Sequence, residues 1–321
     1  MGSVCRASPS CPRPASSPPS PSSTTCASCP STSGAPGERR PAGADRRAPS
    51  GRRAAAGTES AAAARRPVRR GRGGRPLELD LWLPEAGRGP APLVLFVHGG
   101  AWRRGRRDDM GPRTRHWDPG PLARIAAAGF AVACADYRLS GEANFPAPLD
   151  DLRAALRWLE LRAPELGVDT ARTVVWGESA GGHLASLLAL DPAVAATGAV
   201  VWYAPSDLTV PRGPFDPRSA ETPEALLLGA APAAVPERAR AASPVARVHR
   251  DAPPFLLVHG ERDTMVPGTH SEALAARLRE VGAQVELRTV PGADHGWYGA
   301  SDDAVEEVFA RSLRFAQEVV A

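Results

Sequence analysis

The sequence predicts an α/β fold in which a mostly parallel central sheet is covered by helices on both faces. From residue 77 onward, strand-like and helix-like segments alternate, which is typical of parallel strands joined by crossover helices. Some strand-like segments, such as PLVLFVH (92–98), are continuous apolar runs and indicate strands buried on both faces. A G-x-S-x-G sequence (177–181) lies where a strand-like run meets a helix-like run.

The segments follow a regular order along the chain. LELDLWL (77–83) alternates apolar and polar residues, which indicates a half-exposed strand, and 147–161 has leucines at helical spacing on one face. The predicted strands are 77–83, 92–98, 130–136, 172–176, 199–204, 254–260 and 284–290, and the predicted helices are 121–129, 147–161, 180–190, 271–282 and 302–320. Only one predicted strand, 77–83, precedes 92–98.

Residues 1–74 differ from the rest in composition. They are mostly Ser, Pro, Ala, Gly and Arg, with too few large apolar residues to offset the entropy of ordering, so we expect a disordered tail. Residues 1–76 carry a net charge of +11, and since the whole chain carries +4, residues 77–321 carry −7. The chain has no lysine, and its basic character belongs to the tail, so we expect no nucleic-acid partner for the domain at 75–321.

The positions of the cysteines and the lengths of the apolar runs restrict the cellular compartment and the metal sites that we expect. Four of the five cysteines lie in the tail, where Cys26 and Cys29 have CxxC spacing without a suitable second pair, so we expect no metal site. Only Cys134 lies in the domain, which suits a reducing, cytoplasmic location. The first 30 residues hold no apolar core of a signal peptide, and no apolar run reaches the ~18–20 residues that span a bilayer.

Ser179, in GESAGG (177–182), is the candidate nucleophile. A sharp turn from strand to helix brings the residues on either side of the serine close together, and glycine fits there because it has no Cβ. Such a turn exposes the hydroxyl beside the free N–H groups of the next helix. The alternative is a tight turn with an incidental serine.

His295 is the candidate base among seven histidines. It follows the last predicted strand in a short loop before the last helix, and enzymes with this serine turn have the chain order serine, acid, histidine. We expect His183 to pack or cap, and His98 and His259 to shape turns after buried strands. His116, His249 and His270 lie in polar surroundings and are expected at the surface.

The orienting acid must lie between the serine and the histidine, at the end of a strand. Asp263, in HGERD (259–263), fits best, while Asp207 and Glu261 are the alternatives. Asp294, next to the histidine, is poorly placed to reach the correct ring nitrogen.

The loop after strand 92–98 supplies candidate backbone donors for a developing oxyanion. It reads His98-Gly99-Gly100-Ala101-Trp102, and adjacent glycines let the backbone approach a ligand closely. We expect the N–H groups of Gly100 and Ala180, with Gly99 as a further candidate, to bind the oxyanion and Trp102 to add a bulky pocket wall.

Residues 77–321 resemble the esterase and lipase branch of the α/β-hydrolase superfamily. The resemblance rests on HGGAWRRG (98–105), DYRLS (136–140), GESAGGHLAS (177–186), HGERDTMVP (259–267) and PGADHG (291–296), which occur in the family's order. It implies a hormone-sensitive-lipase-like or feruloyl-esterase-like carboxylesterase with the α/β-hydrolase fold and no cofactor. Ala101 stands where the lipase branch often has a third glycine, and this form of the loop is closer to feruloyl-esterase-like and kynurenine-formamidase-like members. A second departure from the family's pattern is that only one predicted strand precedes 92–98, so we expect the first strand of the sheet to be absent or degenerate.

The sequence therefore predicts a serine hydrolase that cleaves a carboxylic ester of a small or medium substrate through an acyl-enzyme. An amidase of the kynurenine-formamidase type, or a peptidase, would use the same triad, and a non-catalytic binding protein of the same fold is a further alternative. The segment 205–253 is expected to form a small cap or pocket wall, and its few large apolar residues favour short acyl chains. The oligomeric state is not predicted.

Overall fold

The sheet contains every predicted strand and one more. The computed structural model describes residues 64–69, 75–85 and 89–321. The strands are β1 (Ala64–Arg69), β2 (Leu77–Trp82), β3 (Ala91–Val97), β4 (Ala131–Ala135), β5 (Val168–Glu178), β6 (Ala196–Trp202), β7 (Phe255–Gly260) and β8 (Val285–Val290). The helices are α1 (Pro121–Ala127), α2 (Ala147–Leu166), α3 (Ala180–Ala189), α4 (Pro223–Leu228), α5 (Pro236–Ala241), α6 (Thr269–Glu280) and α7 (Asp302–Val320).

The eight strands form one sheet in the order β1-β2-β4-β3-β5-β6-β7-β8. The pairs β1–β2 and β2–β4 are antiparallel, and all the others are parallel. The predicted α/β architecture with a mostly parallel sheet is confirmed.

The core lies on both faces of the sheet, as the continuous apolar strands require. In β3, Leu93, Leu95 and Val97 belong to a cluster with apolar residues of α2, α3 and α6. Val94 and Phe96 belong to a second cluster with residues of α1 and α7. Successive side chains of a strand point to opposite faces, so a strand buried on both faces needs apolar residues at every position.

The N-terminal boundary of the domain differs from the prediction. β1 lies at 64–69, within the range 1–74 for which the sequence predicts a disordered tail, and it pairs with β2 at the edge of the sheet. Composition misses such a strand because an edge strand is held by backbone hydrogen bonds as well as by apolar burial. The remaining tail, 1–63 and 70–74, and with it Cys26 and Cys29, lies outside the described residues. Within the described ranges, no helix is both long and apolar enough to cross a membrane.

The parallel strands gather the candidate residues at one edge of the sheet. Ser179 follows β5 directly, Asp263 follows β7, and His295 follows β8. The loop 98–102 follows β3, which lies next to β5. In open α/β sheets, the carboxyl ends of the strands form the crevice in which ligands bind.

Candidate active site

Ser179 lies in the sharp turn between β5 and α3. Its φ of 52° and ψ of −123° place it in a strained region of backbone conformation. A Cβ on Gly177 would collide with the carbonyl oxygen of Gly181, and a Cβ on Gly181 would collide with that of Val97 at the end of β3. The two glycines are needed because the turn folds onto itself and onto the neighbouring strand.

The structure brings Ser179, His295 and Asp263 into one hydrogen-bonded chain. The Oγ of Ser179 lies 3.0 Å from Nε2 of His295. Nδ1 of the same ring lies 2.8 Å from Oδ2 of Asp263. A hydroxyl, an imidazole and a carboxylate in this order are the parts of an activated nucleophile.

The carboxylate of Asp263 is fixed by further donors. Its side chain is buried, and its Oδ1 accepts hydrogen bonds from the backbone N–H groups of Met265 at 2.9 Å and Val266 at 2.7 Å. Burial by itself raises the pKa of Asp263, but hydrogen bonds from His259, His295 and the Val266 N–H outweigh it and hold the pKa well below its usual range. The group is therefore a carboxylate at neutral pH.

The alternative acids are engaged elsewhere. Oδ1 of Asp207 accepts the backbone N–H of Thr209 at 2.8 Å, and Oε2 of Glu261 accepts that of Gly292 at 2.9 Å. Oδ1 of Asp294 accepts the backbone N–H of the neighbouring histidine at 2.7 Å, so it caps the turn without reaching the ring. Among the predicted acids, only Asp263 is within hydrogen-bond distance of the imidazole.

Four other histidines are buried in the described part of the chain: His98, His183, His259 and His270. His98 and His259 bond to groups of their own turns, as expected from their places after buried strands. The surface position expected for His270 is wrong, because the start of α6 packs inward and its Nδ1 accepts the backbone N–H of Ser206 at 3.2 Å. Burial, helped by the charge of Arg212, lowers the pKa of His270 to about 4.

The loop after β3 differs in one respect from the expectation. The N–H of Gly99 donates to Oε1 of Glu178 at 2.7 Å, so it is not available to a ligand. The next two residues, Gly100 with φ of 107° and Ala101 with φ of 55°, line the cavity. Among the described residues, their N–H groups have no protein acceptor. The sequence analysis did not single out Glu178 as the acceptor for the N–H of Gly99, or Ala101 as a candidate oxyanion donor. Both residues lie inside motifs on which that analysis depends.

Two other predicted residues lie near the serine. Ala180 is the first residue of α3, where helix N–H groups lack intrahelical acceptors. Trp102 lies at the edge of the cavity, but only 1% of it is exposed, and its indole packs in the core. Trp102 therefore lines the cavity as predicted, but with only a small part of its surface.

A cavity of about 550 Å³ opens at the serine. The predicted cap or wall segment 205–253 contributes Pro205, Arg212 and Pro223 to its lining. The large leucines of that segment do not line the cavity, because Leu208, Leu227 and Leu228 are buried in the core. In the part of the chain that the structure describes, no cluster of three or more His, Cys, Asp or Glu side chains is placed to hold a metal ion.

Comparison with known proteins finds a family model and several named esterases that are similar to this chain. A model of the BD-FAE family matches residues 79–278. The chain is 34% identical over 271 residues to esterase LipC of Mycobacterium tuberculosis, covering 75% of this chain and 65% of that protein. It is 33% identical over 247 residues to esterase LipQ of the same organism, covering 71% of this chain and 56% of that protein. The chain thus spans less than two thirds of the length of these relatives.

Solved structures with the same fold include esterases. A truncated carbohydrate esterase from gut microbiota aligns with a TM-score of 0.69 at 24% identity, covering 82% of this chain and 98% of that one. A bacterial heroin esterase aligns with a TM-score of 0.67 at 26% identity, covering 82% of this chain and 86% of that one. These alignments confirm the predicted α/β-hydrolase fold.

Proposed function

Because the chain belongs to the BD-FAE family of α/β-hydrolases, we propose that it hydrolyses a carboxylic ester of a small or medium substrate through an acyl-enzyme. The support is the hydrogen-bonded chain of Ser179, His295 and Asp263 at the cavity. The relatives named as esterases point to the same bond type.

In the acylation half-reaction, Oγ of Ser179 attacks the carbonyl carbon of the ester and its proton passes to Nε2 of His295, 3.0 Å away. The carboxylate of Asp263 holds the Nδ1 proton, which keeps Nε2 free as an acceptor and stabilises the charged ring. The tetrahedral intermediate then collapses, and Nε2 delivers the proton to the departing alcohol.

Backbone N–H groups are proposed to stabilise the negative charge of the tetrahedral intermediate. The N–H groups of Gly100, Ala101 and Ala180 are proposed to bind the oxyanion, while the N–H of Gly99 is engaged by Glu178. Fixed donors of this kind stabilise the transition state without reorganising during the reaction.

In the deacylation half-reaction, water attacks the acyl-enzyme. His295 takes the proton of the water and returns it to Oγ of Ser179 as the acid product leaves. The products are one carboxylic acid and one alcohol, and the enzyme is restored.

Labelling and hydrolysis together test the proposal. The wild-type protein is expected to hydrolyse p-nitrophenyl butyrate and to react with a fluorophosphonate probe at Ser179. Ser179→Ala should lose labelling and lower kcat by at least ~10⁴-fold with an unchanged melting temperature, since only oxyanion and binding effects remain. A variant that kept a tenth of the wild-type rate would exclude this serine as the nucleophile. Hydrolysis of N-formylkynurenine with no ester turnover would instead assign an amidase.

A further inference from the structure

His183 connects three parts of the molecule that meet near the serine. It lies in α3, four residues after Ser179, and its ring is fully buried. Its Nδ1 is 3.2 Å from Nε1 of Trp102, at the end of the loop after β3. Its Nε2 is 2.6 Å from the carbonyl oxygen of Ala242, in the segment 205–253. One imidazole thus bonds α3, the nucleophile helix that begins directly after Ser179, to the loop 98–102, here called the oxyanion loop, and to the segment 205–253.

The two partners determine the protonation state of the ring. An indole N–H only donates, so Nδ1 of His183 must be the acceptor. A carbonyl oxygen only accepts, so Nε2 must carry the proton. The ring is therefore neutral in a single tautomer, and burial lowers its pKa to about 4, which keeps it neutral near pH 7.

The oxyanion loop is held at both of its ends by residues close to the serine. At the start of the loop, Gly99 donates to Glu178, the residue before Ser179. At the other end, Trp102 donates to His183. The two proposed donors from this loop lie between these anchors, so their positions relative to the serine depend on both.

We propose that His183 is a positioning residue that sets the oxyanion loop against the nucleophile helix through the indole of Trp102. This role rests on the proposed esterase function. A displaced oxyanion donor weakens the transition state more than the bound substrate, so loss of the imidazole lowers kcat and changes KM little. A purely structural role would lower stability without this selectivity.

Three substitutions separate the two hydrogen bonds of the ring. His183→Asn places an amide oxygen near the position of Nδ1, where it accepts the indole N–H of Trp102. His183→Gln places its amide near the position of Nε2, where it donates to the Ala242 carbonyl but leaves the indole without an acceptor. His183→Phe removes both bonds at similar volume.

Ser312→Ala is the matched control. The Oγ of Ser312 accepts the indole N–H of Trp202 at 3.0 Å inside the core, so this variant also deprives a buried indole of its acceptor. Because Ser312 does not line the cavity, the variant is expected to lower the melting temperature and to leave kcat and KM unchanged.

The measurements are kcat and KM on p-nitrophenyl butyrate, melting temperature, and inhibition by an alkyl trifluoromethyl ketone. Serine adds to this ketone to form a stable oxyanion. We expect kcat to fall ~10–100-fold in His183→Phe and His183→Gln, with KM within about three-fold and the inhibition constant rising in parallel. His183→Asn should stay within about three-fold of the wild-type kcat.

Several outcomes would overturn this role. A His183→Phe variant that keeps the wild-type kcat while its stability falls as in Ser312→Ala would show that the imidazole is only structural. If His183→Phe does not fold, equal kcat values for the Asn and Gln variants would refute the indole contact as the cause. A wild-type protein with neither ester turnover nor labelling of Ser179 would overturn the proposed function as well. If the wild type is active and the His183 variants do not behave as expected, only the proposed role of His183 is overturned.

Discussion

Replacing Asp263 with asparagine should disable the base while leaving the fold intact. Two backbone donors, the N–H groups of Met265 and Val266, point at Oδ1 of Asp263. They require an acceptor, so the amide oxygen of Asp263→Asn must take that position. The amide nitrogen then occupies the place of Oδ2, which lies 2.8 Å from Nδ1 of His295.

This orientation inverts the tautomer of the imidazole. The amide nitrogen donates to Nδ1 of His295, so the ring proton moves to Nε2, which faces the Oγ of Ser179 at 3.0 Å. A protonated Nε2 cannot accept the proton of the serine, and the charged ring also loses its carboxylate. Such an inversion costs ~10⁴-fold in kcat, which is about 5.5 kcal/mol of transition-state stabilisation.

The assay is kcat on p-nitrophenyl butyrate between pH 6 and 9, with the melting temperature measured on the same samples. Asp207→Asn is the control, because its amide oxygen can still accept the N–H of Thr209, and in the described structure the ring of His295 bonds to Asp263 and not to Asp207. The control should stay within about two-fold of the wild-type kcat. A loss of less than ten-fold in Asp263→Asn, or equal losses in the two variants, would refute the assignment of the acid.

Three further predictions follow from the cavity, the buried histidines and the sheet edge. The lining contains no Leu, Ile or Phe among the described residues, so kcat/KM on p-nitrophenyl esters below their micelle concentrations should peak between acetyl and hexanoyl. Each buried CH₂ adds up to ~0.8 kcal/mol only until the cavity is full, and a maximum at dodecanoyl would contradict this. The folded pKa values of His183 and His270 are lowered, mainly by burial, to about 4 from 6.5. The unfolded chain therefore binds more protons than the folded chain. The contribution of these two histidines to the free energy of unfolding is fully present above pH 6.5 and is lost as the pH falls towards 4. The loss is about 2 kcal/mol per histidine at pH 5, and equal calorimetric stability at pH 5 and 7.5 would disprove it. Removing residues 1–63 should leave the melting temperature unchanged, whereas removing 1–70 also deletes β1 and should lower it; equal values would show that this strand adds no stability.

The order of the strands and helices and the grouping of Ser179, His295 and Asp263 at one site could be predicted from the sequence, because both depend on local or strand-level rules. Buried parallel strands need continuous apolar runs, and G-x-S-x-G marks a turn whose crowding excludes side chains. Parallel strands also bring their carboxyl ends to one edge, so residues after β5, β7 and β8 had to meet.

Only the tertiary structure decided which groups of the site are already engaged. Glu178 takes the N–H of Gly99, and the ring of His183 lies between Trp102 and Ala242. These pairs join residues 59 to 81 positions apart. No local pattern encodes such contacts, because they arise only when separate strands and helices pack at one edge of the sheet. The sequence alone thus determined which side chains are available to the site, and the packing determined which backbone donors are left free beside them.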